Sequence, residues 1–281
     1  MQQSTTSAKQ LPIALFDSGM GGLTVFKAIA DNLPNEDLLY LGDTARLPYG
    51  TKGRDTIIRY TLKAAEQLVQ RGVKMLVVAC NTATATALPT LREHVAPLPV
   101  VGVVEPGATA ACAATRNGHI AVIATEATIK SGVYHRAITA IRPDARISGK
   151  PCTLFVPLAE EGLSSGPIVA GIAHHYLDEI FASGNAADQP DTLLLGCTHF
   201  PLFEQALQEV VGPAVRVVNP AATVAQTVAE ALQSRGLCQE NRTDAGRRHF
   251  MTTDNQERFA RTGSIFLGSL LSAGDVELVD L

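Results

Sequence analysis

Two stretches of the chain decide the fold: KMLVVACNTATA at 74–85 and DTLLLGCTHFPL at 191–202. Each passes from a polar residue through an apolar run to a small residue, a cysteine and two polar residues, where a helix is expected to start. An unbroken apolar run is typical of a strand that is buried on both faces of a parallel sheet. The repetition predicts two similar halves, one carrying Cys80 and the other Cys197.

Apolar runs of the same kind recur along the whole chain, and segments of helical period lie between them. The clearest helical stripes are at 55–70, 168–180 and 223–232, and Thr253-Asp254 is predicted to cap a further helix at 255–266. Alternating strands and helices predict an α/β fold of mostly parallel sheets flanked by helices. The runs predicted as strands are 12–16, 38–42, 74–79, 99–104, 119–124, 153–157, 192–196, 215–219, 249–253 and 276–281.

Composition excludes several classes of protein. The chain has 281 residues, of which 46% are hydrophobic and 18% charged, and its formal net charge is −4. These values exclude a disordered tail, a small disulfide scaffold and a coiled coil. Without a basic patch or a run of like charges we expect no nucleic-acid partner. No apolar run is long enough to span a bilayer, and the polar start MQQSTTSAKQ does not resemble a signal peptide, so no membrane partner is expected.

The five cysteines are odd in number and include no CxxC pair, which argues against a disulfide framework or a zinc site and favours the cytoplasm. Cys112, Cys152 and Cys238 are interpreted as packing residues. Cys80 and Cys197 differ because each ends an apolar run and precedes polar residues. Open parallel sheets bind ligands beyond the carboxyl ends of their strands, so two facing units would bring both thiols to one cleft.

Other candidate residues lie at predicted strand ends. Asp17-Ser18 leaves the first strand in LFDSGMGGLTVF, whose glycines allow a tight turn that exposes backbone N–H groups to an anion. The loop GDTARLPYG at 42–50 could close over a ligand. His199 is close enough in sequence to exchange protons with Cys197. Asp43, Glu105 and Glu160 are further acidic candidates, and the remaining histidines show no metal-ligand spacing, so no metal is expected.

Two opposed thiols suit proton transfer at a carbon centre. Removing a proton from one face and returning one to the other requires two acid/base groups, one thiolate and one thiol. A free cysteine has a pKa near ~8.5, so modest tuning gives either form. Negative charge that develops on the substrate must be offset by N–H groups and hydroxyls. The residues of suitable type at predicted strand ends are Ser18, Asn81, Thr82 and Thr198.

These motifs together resemble the glutamate racemase family of the cofactor-independent aspartate/glutamate racemase superfamily. The paired CNTAT and GCTHFPL blocks are the most specific part of the resemblance, which covers the chain from Ile13 onwards. Met1–Leu11 has no clear counterpart, and Pro89 falls inside the helix expected after Cys80 and should kink or restart it. The matching segments are FDSGMGGLTV, LGDTARLPYG, VVACNTATA, VVGVVEPG, IATEATIKSGVY, LLLGCTHFPLF and TTDNQERFARTGSIFLG.

The resemblance implies two pseudo-twofold related α/β domains, 1–103 with 214–281 and 104–213, and an active site between them. It implies interconversion of L- and D-glutamate without a cofactor, to provide D-glutamate for peptidoglycan. Cys80 would deprotonate the D-isomer and Cys197 the L-isomer, with Asp17, His199 and Glu160 as assisting groups. The residues that match glutamate-binding positions are Asp17, Ser18, Tyr49, Gly50, Asn81, Thr82, Thr198 and His199.

Three alternatives stay open at the level of sequence. Racemisation of aspartate or a related acid would use the same two thiols with a pocket of different size. Hydrolysis or amide transfer would use Cys197 as nucleophile and His199 as base, although two residues of separation at a helix start can point the side chains apart. An amino-acid-binding module would leave the paired thiols without a purpose. The oligomeric state is not fixed, and a homodimer is one possible assembly.

Overall fold

The strands follow the buried apolar runs of the sequence. In the computed structural model, residues 8–181, 188–239 and 244–281 are described. The polar segment at 1–7, where we expected neither a signal peptide nor a family counterpart, lies outside them. The strands are β1 (Ile13–Asp17), β2 (Leu38–Gly42), β3 (Met75–Val78), β4 (Val100–Gly102), β5 (His119–Ala124), β6 (Arg146–Pro151), β7 (Thr192–Gly196), β8 (Arg216–Val218), β9 (Arg248–Thr252) and β10 (Val276–Leu278).

Helices connect successive strands, as parallel pairing requires. Within the described residues, no helix combines the length and apolar character needed to cross a membrane. The helices are α1 (Leu23–Asn32), α2 (Arg54–Gln70), α3 (Asn81–His94), α4 (Val104–Ala114), α5 (Glu126–Ser131), α6 (Val133–Ile141), α7 (Phe155–Glu160), α8 (Pro167–Phe181), α9 (Glu204–Val211), α10 (Ala221–Ser234) and α11 (Gln256–Leu267).

The strands form two parallel sheets whose orders correspond. The first sheet has the order β10-β9-β2-β1-β3-β4 and the second has the order β6-β5-β7-β8. If the strands of each unit are counted from its first strand, both sheets contain the order 2-1-3-4. All strand pairs with a recorded register are parallel. Cys80 follows β3 and Cys197 follows β7, which are equivalent strands in this comparison. The predicted fold class is therefore confirmed, and the internal sequence repeat corresponds to a repeat of topology.

One hydrophobic cluster joins the two units. It contains Leu15 and Val77 from the first sheet, Ile123 and Leu195 from the second, and Val228 of α10. Helix α10 also packs on α1, where the Asn32 side-chain amide donates to the Ala225 carbonyl over 3.3 Å. The chain thus returns to the first unit after β8, and the two sheets share apolar packing close to the carboxyl ends of their central strands.

The sequence prediction was wrong at 153–157, where we expected a strand. Phe155 and Val156 are buried on helix α7 instead, and the neighbouring strand is β6 at Arg146–Pro151. Strand β6 lies at the edge of the second sheet and its side chains are exposed or half-buried. An edge strand of this kind has no apolar run, which is why the pattern at 146–151 gave no signal.

Two helices differ from the sequence prediction, α11 in its N-cap residue and α3 at its internal proline. The cap of α11 is Asn255, whose side chain accepts from the Arg258 N–H and whose φ of 36° is one that Asn tolerates better than most residues. The predicted cap residue Thr253 donates to Asp43 Oδ1 instead. Of the kink or restart expected at Pro89, the restart is absent, because helix α3 continues through this residue from Asn81 to His94.

The division into two domains remains our proposal. Strand β8, at Arg216–Val218, hydrogen bonds to β7 in the second sheet. A division that follows the sheets therefore places β8 with 104–213 rather than with 214–281. Apart from this short segment the proposed bounds follow the change from one sheet to the other.

Candidate active site

Cys80 is held at the start of a helix, as its position after an apolar run predicts. It is the N-cap of α3, and its sulfur accepts from the Ala83 N–H over 3.5 Å. The thiol donates to Ser18 Oγ over 3.4 Å, and the residue is only 5% exposed. Burial, reinforced by the nearby Asp17 carboxylate, raises the pKa of Cys80 to about 12. Cys80 is therefore a thiol at neutral pH in the absence of ligand.

Cys197, His199 and Glu160 form a buried series of contacting side chains. Its sulfur lies 3.8 Å from His199 Nδ1, and His199 Nε2 lies 2.7 Å from Glu160 Oε1. The side chains of Cys197 and His199 do not point apart, contrary to expectation, because the turn after β7 brings them into contact. Burial opposes a charge on His199, but its contacts with Cys197 and Glu160 outweigh this and raise its pKa to about 10. A protonated His199 therefore places a positive charge 3.8 Å from the Cys197 sulfur.

Asp17 and Ser18 connect the surroundings of the two thiols. Ser18 contacts Cys80, whereas Asp17 Oδ1 accepts from the Thr198 hydroxyl over 3.4 Å, next to Cys197. Burial raises the pKa of Asp17, and the positive charge of His199 partly offsets this effect. A thiolate at Cys197 also contributes to the raised pKa of Cys80. The two cysteines thus lie within electrostatic reach of each other and on either side of one dipeptide.

The glycines after Ser18 allow this close approach. A Cβ added at Gly21 would lie 2.6 Å from both His199 Nδ1 and Thr198 Oγ1. Such distances are shorter than carbon and these atoms tolerate, so a larger residue would push the second unit away. The turn predicted from LFDSGMGGLTVF therefore has a role in packing the two units together.

Asn81 and Thr82 form hydrogen bonds with residues that were not among the predicted site residues. The Tyr134 hydroxyl donates to Asn81 Oδ1 over 2.6 Å. Thr82 shares a hydrogen bond of 2.9 Å with Thr125, and Thr125 shares another of 2.9 Å with Thr128. Thr125 follows β5, the strand equivalent to β1, so it corresponds in topology to the Asp17-Ser18 exit. That correspondence, and the position of all three residues in the matching segment IATEATIKSGVY, were the available signals.

The loop at 42–50 is buried at its two ends, Gly42-Asp43 and Tyr49-Gly50, and Gly50 contacts the second unit. The Tyr49 hydroxyl donates to Asp43 Oδ2 over 2.6 Å, which raises the pKa of the phenol together with the larger effect of burial. A Cβ at Gly50 would lie 2.6 Å from Thr125 Cβ. Asp43 also pairs with Arg46 over 3.0 Å, so this carboxylate organises the loop and does not contact either cysteine.

Several candidates lie elsewhere. Glu105 is exposed on α4 and lies 3.7 Å from Arg92, so its inclusion as a strand-end candidate was wrong. Cys112 and Cys238 are half-buried, and Cys152 is buried directly after β6. All five cysteines are free. Within the described ranges no three ligand-type side chains cluster in a way that could hold a metal ion.

Comparisons with known proteins identify the family. The sequence model of the family described as Asp/Glu/Hydantoin racemase matches residues 20–228. A glutamate racemase of Geobacter metallireducens is 46% identical over 269 residues, covering 96% of each chain.

Solved structures are similar over the same extent. A glutamate racemase of Francisella tularensis in complex with D-glutamate has a TM-score of 0.86 and 34% identity, covering 96% of this chain and 98% of that one. An Escherichia coli glutamate racemase in complex with L-glutamate and the activator UDP-MurNAc-Ala has a TM-score of 0.75 and 28% identity, covering 96% and 99%. The two-sheet fold, the sequence match and these relatives together lead to one conclusion. The chain belongs to the Asp/Glu/Hydantoin racemase family and is an amino-acid racemase.

Proposed function

We propose that this enzyme interconverts L- and D-glutamate by two-base proton transfer between Cys80 and Cys197. The observation that carries the proposal is the placement of two buried thiols after equivalent strands, β3 and β7, with Asp17-Ser18 between their surroundings. Each thiol serves one face of the substrate α-carbon. Both transfers use side chains of this chain, so the reaction needs no cofactor.

The surroundings of the thiols suit complementary protonation states. Cys80 has a raised pKa and supplies a proton, whereas Cys197, 3.8 Å from His199 Nδ1, is proposed to accept the proton of the substrate. In the direction from L to D, Cys197 removes the α-proton and Cys80 protonates the opposite face. In the reverse direction the roles exchange, with Cys80 taking the proton of the D-isomer.

Polar groups around the cleft would hold the substrate and the charge that develops on it. Asp17, Ser18, Asn81, Thr82, Thr198 and His199 are proposed ligands, with Tyr49-Gly50 closing the loop side. Hydroxyl and N–H donors placed where negative charge develops stabilise a carbanion in a site that excludes water. Asp17 would pair with the substrate ammonium group, since its buried carboxylate accepts from Thr198, next to Cys197, and acts electrostatically on Cys80.

Glutamate is proposed over aspartate because of the relatives. The Francisella tularensis protein contains D-glutamate and the Escherichia coli protein contains L-glutamate. The Geobacter metallireducens relative is named a glutamate racemase and covers 96% of this chain. A chirality assay that compares glutamate with aspartate tests this choice: turnover of aspartate at the same kcat/KM as glutamate would contradict it.

The role of the pair is tested with Cys80→Ala and Cys197→Ala, assayed after dialysis and without added cofactor. Each substitution should abolish racemisation in both directions because one face of the α-carbon loses its acid/base group. Cys112→Ala is the matched control, since Cys112 is half-buried on α4 and takes no part in the proposed site. Wild-type turnover in either of the first two variants would refute the pair assignment.

A second candidate reaction is favoured by one observation. The Cys197–His199–Glu160 chain has the order nucleophile, base and orienting carboxylate that thiol hydrolases use. Ammonia release from glutamine, or a trapped thioester at Cys197, would support it. We place it second because that chemistry gives Cys80 no role.

We further propose that the product serves peptidoglycan synthesis and that the enzyme acts in the cytoplasm, which suits five free cysteines. A strain depleted of the enzyme should recover growth on added D-glutamate. Failure to recover would contradict the cell-wall role. A homodimer remains a prediction that sedimentation can test.

A further inference from the structure

Arg46 joins the loop at 42–50 to two other parts of the chain, helix α2 and Leu281. Its Nη1 donates to Asp43 Oδ1 over 3.0 Å, and its Nη2 donates to the backbone carbonyl oxygen of Leu281 over 2.7 Å. The guanidinium carbon lies 5.2 Å from the centre of the Tyr60 ring on α2. Because the guanidinium is planar and its N–H groups point in fixed directions, these contacts define where the loop lies.

The Leu281 end of this connection is itself held in place. The Val279 N–H donates to the Thr252 carbonyl over 2.9 Å, which ties the segment after β10 to β9. The side-chain amide of Gln67 on α2 donates to the Asp280 carbonyl over 3.1 Å. The segment at 279–281 is therefore a fixed anchor, and Arg46 transmits its position to the loop.

Asp43 carries the connection from Arg46 to the candidate site. Its carboxylate is buried, and Oδ1 accepts from Arg46 and from the Thr253 hydroxyl. Its Oδ2 accepts from the Tyr49 hydroxyl over 2.6 Å, and its backbone N–H donates to the Asp17 carbonyl over 3.0 Å. A buried carboxylate is costly without its donors. Loss of Arg46 would therefore let the Asp43 side chain move and weaken its hold on Tyr49.

The Tyr49-Gly50 end of the loop lies near Cys80 and against the second unit. Burial and the Asp43 carboxylate raise the pKa of Tyr49, and a charge on the Cys80 sulfur raises it further, so the two side chains are within electrostatic reach of each other. A Cβ at Gly50 would lie 2.6 Å from Thr125 Cβ, so the backbone of the loop closes directly on the second unit. Small shifts of this end would change the shape of the cleft beside Cys80.

We propose that Arg46 is a positioning residue for glutamate binding, acting through Asp43 on the Tyr49-Gly50 end of the loop. Arg46 does not contact the substrate in this account. It keeps Asp43 paired with the Tyr49 hydroxyl and joins that pair to the segment after β10. The inference rests on the proposed function above, because it concerns the cleft and the substrate named there.

Arg46→Gln tests this role in steady-state racemisation of L- and D-glutamate. The variant removes the charge and the fork of donors, so KM for glutamate should rise about tenfold while kcat stays within about threefold of wild type. Arg46→Lys keeps the charge without the fork and should recover only part of the loss. Arg59→Gln is the matched control and should keep the wild-type KM, because Arg59 is exposed and lies 5.4 Å from the centre of the same Tyr60 ring.

A double-mutant cycle with Tyr49→Phe separates positioning from a general loss of stability. Tyr49→Phe removes the hydroxyl that donates to Asp43 and should also raise KM. If Arg46 acts through Asp43 on Tyr49, the KM of the double variant should lie within about twofold of the larger single-variant value. Should Arg46→Gln fail to fold, as judged by circular dichroism, Arg46→Lys takes its place in the cycle.

Two results would overturn the proposal. The first is a KM in the Arg46 variant within about twofold of wild type, and the second is a pair of KM effects that multiply in the double variant, as independent sites do. Absence of glutamate racemisation by the wild-type enzyme would instead count against the proposed function, so the two failures are distinguishable.

Discussion

Cys80 and Cys197 are the same residue type in two different environments. Cys80 is enclosed near a carboxylate, and its pKa rises to about 12. Cys197 contacts an imidazole whose pKa is about 10 because Glu160 and the sulfur outweigh its burial. This difference keeps Cys80 in the thiol form and places a cationic neighbour beside Cys197, so the two sulfurs are suited to opposite roles in acid/base chemistry on two faces.

Replacement of either sulfur by oxygen should lower kcat severely. Cys80→Ser and Cys197→Ser keep the shape of the side chain, but a serine hydroxyl is far harder to ionise than a thiol. We expect kcat to fall by about 10²–10⁴-fold in each variant, the usual contribution of a general acid or base. Steady-state polarimetry with each enantiomer checks this. A loss below tenfold in either variant would show that the sulfur is not the proton carrier.

His199 also makes folding stability depend on pH. Its folded pKa of about 10 exceeds the ordinary histidine value of 6.5, so the native state binds more protons between these values. The contribution is complete below about pH 6.5 and is lost as pH rises through about 10. The free energy of unfolding of wild type should therefore fall from pH 7 to pH 10.

Glu160→Gln tests this linkage. The variant removes a negative charge that raises the His199 pKa, so its free energy of unfolding should fall less steeply over the same range. Denaturant titrations at several pH values give the slopes. Glu161→Gln, an exposed neighbour, is the control and should follow wild type. Equal slopes for Glu160→Gln and wild type would contradict the assignment of charge.

The turn after β1 and the turn after β7 come from different units and pack closely against each other at Gly21. The turn between β1 and α1 contacts Thr198 and His199, which follow β7. Such contacts between a backbone and opposing side chains leave no room for a Cβ. The geometry of the site therefore depends on how two turns meet.

Gly21→Ala should displace His199 and lower kcat by about 10–100-fold while leaving most of the fold intact, since small misplacements of catalytic groups are costly. Gly53→Ala is the control, because a Cβ at Gly53 meets nothing within 4 Å. The measurement is kcat for both variants, with circular dichroism to confirm folding. Equal kcat values would show that the contact does not position the site.

The sequence predicted the buried elements well and the exposed ones poorly. Strands β2, β5 and β7 have the predicted bounds because their apolar runs lie inside the sheets. Strand β6 was missed because its side chains face solvent at a sheet edge, and 153–157 was misread because a buried helix turn can also be continuously apolar.

The part of the candidate site that consists of reactive side chains could be predicted from the sequence. Cys80, Cys197, Asp17 and His199 could be named because reactive side chains at strand ends are conspicuous in a sequence. The Thr125 and Tyr134 contacts could not, because common hydroxyl residues become informative only when folding brings them to Thr82 and Asn81. The Glu105 candidate failed for the opposite reason, since an acidic residue near a strand end can point to solvent.

At the scale of the molecule, the two units meet through hydroxyl groups as well as apolar packing. Thr82 follows β3 in the first unit, and Thr125 and Thr128 follow β5 in the second. These hydrogen bonds are buried, so they fix the relative position of the units more than they add net stability.

Thr125→Val removes the middle hydroxyl of this series and leaves its partners unpaired. We expect a loss of about 1–3 kcal/mol in the free energy of unfolding and a raised KM for glutamate, because the cleft is less well defined. Thr109→Val, at an exposed position of α4, should change stability by less than about 0.5 kcal/mol. Urea denaturation compares them, and an equal effect of the two would refute a role at the interface.

The central claim concerns two sulfurs acting on opposite faces of one α-carbon, and isotope labelling in D₂O tests it most directly. With L-glutamate and purified enzyme at early conversion, mass spectrometry should find one α-deuterium in the D-glutamate product and little in the remaining L-glutamate. With D-glutamate as the substrate, one α-deuterium is expected in the L-glutamate product and little in the remaining D-glutamate. Early labelling of the unreacted substrate to the same extent as the product would indicate a single shared base and contradict the account.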